Sequence, residues 1–369
     1  MSKARQLADN AAAEPNKNMV INGAMQVSQR GDVTGKTSAT YGGPDRFALG
    51  ITSHGTYSIS QSTTVPTGYG FPNSYKLDCT TADTSIAANA EVTIQYKMEG
   101  QDLQRLKKGT SSAEAVTISF WCKSNLTGTY TLEIYDSDNT RHFPQNYTIS
   151  SADTWEHKVL TFAGDTTGAF TNDNNHSAVL VWWLAAGSNY TGGTQSTEWG
   201  TASSADKRVS SSIVNMSSST SNEFLLTGVQ MEIGSYVTPF QFESYATTLE
   251  KCQRYFSIEK AGSGGQYKRY AHGGAVSTTQ GSCSVALSTP LRTTPTLVLS
   301  GAVSTFLAHS AGGTDALTSL IIANDDDGGT HNRLIEVTPV VSSGLVAGDI
   351  VSIISNNSTS TSIAFDAEL

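Results

Sequence analysis

Short segments in which apolar and polar residues alternate recur along most of this chain, and that pattern constrains the fold more than any other feature. They fall at residues 74–79, 90–98, 115–123, 130–135, 155–162 and 178–184. A period of two gives a β-strand one apolar and one polar face. Between the segments lies turn chemistry: Asp136-Ser-Asp-Asn139, Gly164-Asp165 and Thr171-Asn-Asp-Asn-Asn175. Only residues 99–106 interrupt the series with a helix-like turn or two. Short strands joined by polar turns, without strand–helix–strand alternation, predict an all-β fold, an antiparallel jelly-roll or β-sandwich. A second series follows at 282–288, 296–303, 317–323, 333–341, 349–355 and 361–368, broken by Pro290, Pro295, Gly312-Gly313 and Asn356-Asn357. It predicts a smaller distal β-sandwich of about 100 residues, a size that folds by itself.

Between the two series lies a different pattern. Leu226, Val229, Met231 and Ile233 suit a half-buried strand that Gly234 and Pro239 end. Tyr245, Leu249, Cys252 and Phe256 then follow at helical spacing. A stripe this short is not stable alone in water. It is expected to be a helical neck that packs on a domain body or on two copies of itself around a threefold axis. The expected organisation is an N-terminal docking arm over 1–17, a jelly-roll sandwich over 18–244, a neck over 245–256 and a tip domain over 257–369. In the arm, Ala4, Leu7, Ala8 and Ala11 suit a short helix that Pro15 stops. Val20, Met25 and Val27 suit the first strand of the sandwich. Residues 185–222, rich in Gly, Ser, Thr and Asn, read as long loops before the final strand.

The chain has 369 residues, enough for two cores. Its 23 basic and 32 acidic residues leave a net charge of -9, which repels a phosphate backbone and argues against nucleic acid as a partner. No apolar run approaches the roughly 18 residues of a membrane helix, so no membrane insertion is expected. The start of the sequence lacks the apolar core of a secretory signal. Cys79, Cys122, Cys252 and Cys283 are widely spaced and form no C-x-x-C pair, which points to buried, reduced thiols in a protein made in a cytoplasm.

Four stretches together resemble the virion appendage proteins of tailed bacteriophages and related prophages. They are Asn22-Gly-Ala-Met-Gln-Val-Ser-Gln-Arg-Gly31 with Asp45-Arg46-Phe47; Ile118-Ser-Phe-Trp-Cys-Lys-Ser124 with Gly128-Thr-Tyr130; Thr154-Trp155-Glu156 with Gly164-Asp165 and Val181-Trp182; and Leu226-Thr-Gly-Val-Gln-Met-Glu-Ile-Gly234 through Thr238-Pro-Phe240 to Cys252-Gln-Arg-Tyr-Phe256. The terminal Phe365-Asp-Ala-Glu-Leu369 resembles the closing strand of such proteins, and the N-terminal arm resembles the starts of short fibre genes of cyanobacterial phages. The resemblance covers 18–256 well and the distal region weakly. It implies a lectin-like or carbohydrate-module-like jelly roll, homotrimeric, in a tail fibre or tail spike of the virion. Implied partners are other tail or capsid proteins, through the arm, and a host-surface glycan or protein. The chain departs from the family in having no long shaft of repeats.

Sites of chemistry are sparse. Gly31-Asp-Val-Thr-Gly-Lys-Thr37 has one residue too few between its glycines for a phosphate loop and opens no helix. There is no G-x-S-x-G elbow and no histidine pair at metal-ligand spacing. Glu133, Asp136 and Asp138 are candidates for a hydrolase pair flanking a sugar, but carboxylates on turns are commoner than catalytic ones. Asp325-Asp-Asp-Gly-Gly-Thr330 carries oxygen ligands without the spacing of a calcium loop. No catalytic residue, metal or cofactor is therefore assigned. Trp121, Trp155 and Trp182 alternate with polar neighbours and are expected in the core. Tyr190 and Trp199, in the loop-rich region, are the candidates for exposed stacking, with His309, Asp325, Asp326, Asp327 and His331 as the distal contact residues. The leading expectation is a non-enzymatic, homotrimeric appendage protein. Its alternatives are an architectural adaptor or head-decorating fibre and, less favoured, a polysaccharide depolymerase.

Overall fold

A computed structural model describes residues 18–202, 205–262, 267–323 and 333–369. The N-terminal arm and the Asp325–Asp327 and His331 candidates lie outside these residues. The chain divides into two compact units, Met1–Thr248 with Leu369, and Leu249–Glu368.

The first unit is an antiparallel β-sandwich. Among the described residues, one sheet has the order β1 (Val33–Lys36), β4 (Thr56–Ser62), β5 (Ser74–Thr81), β13 (Glu223–Ile233), β7 (Val116–Ser124) and β10 (Glu156–Phe162). The other runs β12 (Gly200–Thr201), β9 (Arg141–Ile149), β8 (Gly128–Asp136), β11 (His176–Ala186), β6 (Glu91–Glu99), β3 (Phe47–Thr52) and β2 (Thr40–Tyr41). Alternation turns one side of each strand inward, where Phe47, Tyr75, Tyr96, Phe120, Tyr147 and Trp182 form an aromatic core. Phe120 meets Trp182 edge-on with centroids 5.8 Å apart, and Phe47 lies 6.3 Å from the same indole. Burying a ring of this size stabilises by about 1.5–3 kcal/mol.

The helix-like segment after β6 is a short 3-10 helix, Gly100–Leu106. Val20, Met25 and Val27 are buried, but in a tight irregular turn and not in the strand expected. Asn22 and Met25 there take left-handed backbone angles, which a ladder cannot accommodate.

The second unit is also all-β. Its strands close as a six-stranded barrel, where two stacked sheets were expected. The ring is β15 (Arg269–Ala275), β16 (Gly281–Ala286), β20 (Leu334–Val341), β19 (Gly313–Ile322), β18 (Phe306–Ser310) and β21 (Ile350–Ser355). Closure comes from β21, which pairs with β15 on one side and β18 on the other and so leaves no free edge. Ala271, Cys283, Ala308, Val337 and Ile353 are among the small and medium side chains that fill it. A three-stranded sheet of β14 (Phe256–Lys260), β22 (Ser362–Asp366) and β17 (Thr296–Leu299) completes the unit.

Helix α1 (Ser188–Thr191) is a single turn, and α2 (Tyr245–Gln253) spans the division of the chain. Phe256 falls outside α2. It opens β14, opposite Asp366, so the expected four-residue stripe is split between a helix and a sheet. Cys252 and Phe256 are 1% and 4% exposed within the single chain. The part of the stripe left near the surface is Tyr245, 56% exposed, and the half-buried Leu249.

Candidate functional site

Strand β11 reads Ser-Ala-Val-Leu-Val-Trp-Trp-Leu-Ala-Ala with hardly a polar residue, and every one of these is buried. A strand of this composition needs cover on both faces. The core covers one; on the other, Val179, Val181 and Trp183 pack with Val209, Tyr190 and Ile213 of the loop-rich segment. That segment is pinned by a carboxylate. Glu133 points outward from β8 and accepts Arg208 Nε and Nη2, both at 2.8 Å, Trp183 Nε1 at 2.9 Å and His142 Nδ1 at 3.0 Å. Burial works against its ionisation, but the charge of Arg208 and the bonds from His142 and Arg208 outweigh it and hold Glu133 below the usual carboxylate range. Arg208 also lies over the rings of Tyr135, 4.8 Å, and Trp183, 5.1 Å. Gln195 and Asn146 exchange amide hydrogen bonds of 2.6 and 3.0 Å further along.

Beside this sealed half of the sheet lies a more open half. On β6 the outward residues are Glu91, Thr93 and Gln95. Thr93 Oγ1 donates to Glu91 Oε1 at 3.1 Å, and Gln95 Nε2 reaches Thr93 Oγ1 at 3.1 Å and Glu91 Oε1 at 3.3 Å. The Tyr190 hydroxyl meets Glu91 Oε2 at 3.5 Å from the border of the loop. Glu91, Gln95 and Tyr190 are half-buried. Burial raises the carboxyl of Glu91 above its ordinary value, although Thr93 and Arg208 pull the other way. The result is a row of side chains that can donate and accept, on a rigid strand, beside an aromatic ring.

Of the residues singled out from sequence, Tyr190 belongs to this site. Trp199 does not. Its ring packs on Phe143 with centroids 5.9 Å apart, and its Nε1 donates to the carbonyl of Ala163 at 2.7 Å. It stands over Lys108, whose Nζ lies 2.6 Å from Asp136 and 3.1 Å from Asp165. Trp199 is thus the roof of a buried ion cluster, not an exposed stacking platform. His309 is half-buried on β18, opposite Ser352, which also bonds His272 at 3.1 Å. Glu133 and Asp136 are three apart on one strand, so they face opposite sides of the sheet and cannot flank one sugar. Asp138 is exposed and holds Thr171. Trp182 is in the core as expected, but Trp121 faces outward and is half-exposed. Glu91, Thr93 and Gln95 were not singled out from sequence; their signal was the alternation of 90–98, which places them on one face.

The motifs that carried the phage resemblance meet in space. Met19 N donates to the carbonyl of Met231 at 3.0 Å, and Val229 N to that of Gly23, also at 3.0 Å. A Cβ on Gly23 would stand 2.1 Å from the carbonyl oxygen of Val229, so only glycine permits this approach. Gln29 bonds both oxygens of the Asp45 carboxylate, at 2.9 and 2.7 Å. Gln230 Nε2 and the Glu232 carboxylate hold Thr238 ahead of Pro239. Stretches more than two hundred residues apart in sequence are therefore one interlocked unit.

No protein-family model and no curated protein matches the chain. Among solved structures it is similar to the enzymatically active domain of Bacteriophage CBA120 tailspike protein 4, at 15% identity and a TM-score of 0.31, over 60% of this chain and 22% of that one. It is also similar to a C-terminal family 22 carbohydrate-binding module of Clostridium thermocellum, at 9% identity and a TM-score of 0.32, over 61% of this chain and 100% of the module. A xylan-binding domain from Paenibacillus barcinonensis matches at 11% identity and a TM-score of 0.27, over 61% of this chain and 100% of that one. Likenesses of this strength assign no function.

Proposed function

We propose that this chain is a glycan-binding structural protein of a tailed-phage virion appendage, without catalytic activity. The observation that carries the binding is the Glu91–Thr93–Gln95 row beside Tyr190. Sugar hydroxyls are both donors and acceptors, and this row presents carboxyl, hydroxyl and amide groups on a strand that does not have to reorganise. The interlock of the amino-terminal and Leu226–Phe240 motifs supports the phage reading, because the residues shared with that family are those that knit the sandwich. The same network speaks against a depolymerase. Glu133 has four donors on its two oxygens and no route to solvent, which leaves Glu91 without a second carboxylate to act with. In the virion the chain acts as a homotrimer, with residues 1–17 docking to tail or capsid, Tyr245 and Leu249 contributing to subunit contacts, and the barrel facing the host.

The test is binding of the purified full chain to host cells and to a glycan array, with Gln95→Ala as comparator. Saturable binding that Gln95→Ala abolishes, with the thermal midpoint unchanged, is expected. Absence of saturable binding would favour the architectural adaptor. Release of reducing ends would establish a depolymerase.

A further inference from the structure

The opposite face of the sandwich carries a feature that the polar row does not explain. Alternation along β7 buries Phe120 and Cys122 completely and turns Trp121 outward. Trp121 stands in register between His157 of β10 and Thr227 of β13. Its ring lies 5.0 Å from that of His157, tilted by 34°, and 4.2 Å from that of Tyr69, tilted by 50°. Tyr69 is 55% exposed and His157 is exposed as well. A second set of rings adjoins this row: Phe71 packs on Phe240 at 5.0 Å and on Phe242 at 5.3 Å, and Phe242 is 51% exposed.

The two sets join at Gly228. This residue occupies a β-bulge with φ +62°, and a Cβ there would stand 2.6 Å from Phe71 and 3.0 Å from Trp121. A bulge and a glycine in an otherwise regular strand are thus spent on seating two rings. Burying Tyr69 and Phe242 would contribute about 1.5–3 kcal/mol each, yet the chain leaves both open. The row of residues next along the same face is Lys76, Leu225 and Lys123, with Lys76 paired to Glu223 at 2.6 Å. The aromatic strip is therefore narrow and bordered by charged and hydroxyl groups. A protein partner would have to desolvate that border. A sugar chain would bond to it while its C–H faces rest on the rings.

We propose that this strip is a second carbohydrate site, a stacking ledge for a neutral, equatorially linked hexopyranose chain. Equatorial linkages keep both faces of each ring flat, so successive sugars can lie along a row of aromatic rings. No charged side chain lies among the stacked rings themselves, which suits an uncharged glycan. The ledge rests on the glycan-binding reading above, but on different residues and a different interaction.

Cellohexaose titrated into the full chain, followed by tryptophan fluorescence and calorimetry, tests the ledge. Saturable binding with a change in emission is expected. Tyr69→Ala should weaken it about tenfold without moving the thermal midpoint, and Trp121→Phe should remove the emission change while retaining part of the affinity. Gln95→Ala should leave cellohexaose binding intact. Wild-type protein that does not bind cellohexaose would overturn the ledge, whatever the glycan array shows for the polar face. Cellohexaose binding abolished by Gln95→Ala and untouched by Tyr69→Ala would also overturn it, while leaving the proposed function standing. If Tyr69→Ala instead changed the molecular mass in light scattering with no change in sugar affinity, the strip would be a contact between copies and not a ledge.

Discussion

The two outer faces of the sandwich solve the same problem in opposite ways. Each belongs to a sheet whose inner face is committed to the core. The seven-stranded sheet lays part of its outer face under a long loop and fastens that cover with a carboxylate, a guanidinium, an imidazole and an indole. The six-stranded sheet leaves tyrosine, histidine and phenylalanine rings in the open. The first face invests in fixed polar geometry, the second in aromatic surface without cover. Exposed rings cost little stability to alter but carry whatever binds them; buried charges behave the other way round. The contrast separates residues that hold the sandwich together from those that are free to serve recognition.

The contrast is broken most severely at Glu133. Glu133→Ala removes the acceptor from Arg208, His142 and Trp183 together, and a buried charge left without its partner costs about 3–5 kcal/mol. Urea unfolding should show that loss, with the loop over Trp183 becoming protease-sensitive. Acid sharpens the same point. The Glu133 and Asp165 carboxyls are held below their ordinary values, so the folded state binds their protons less readily than the unfolded chain. Their stabilisation is present above the unfolded values, near pH 4, and is lost as pH falls through the lower folded ones. Stability measured from pH 7 to pH 3 should fall, and Glu133→Gln should flatten that fall.

On the other face, Gly228→Ala is expected to destabilise by about 1–3 kcal/mol, since the added methyl strains a left-handed residue and collides with Phe71 and Trp121. Trp121 emission should shift in the folded variant. Tyr69→Ala should cost no more than about 0.5 kcal/mol, read as the urea midpoint, because the ring is largely exposed. Glu91→Gln should be the mildest change and of opposite sign. Burial raises that carboxyl, so its charged form is a cost that grows as pH rises, and the amide should stabilise slightly at pH 8 and not at pH 4.

Much of the framework was legible in the residues. Alternation located the strands through 90–98 and 115–123, and the spacing of Tyr245, Leu249 and Cys252 marked α2. The uninterrupted apolar run of β11 announced a strand with two buried faces, but nothing in 187–214, a segment of small and polar residues, announced that it would supply the cover. Trp121 and Trp182 look alike in sequence, each in an alternating strand. One faces the core and the other solvent, and alternation alone does not say which side of a strand is inside. Trp199 looked free because its loop is polar, and it is held by an ion cluster drawn from Lys108, Asp136 and Asp165.

Side-chain period is a local property, so the residues themselves determined that this chain is all-β, where its strands run and which side chains share a face. Which faces meet, and hence whether a ring is core, roof or ledge, is decided by pairings between distant strands. The closure of β15 to β21 and the clasp of Arg208 on Glu133 join residues 75 to 85 or so apart in sequence. No short window contains that information, because the free energy that selects those partners exists only once both are in place.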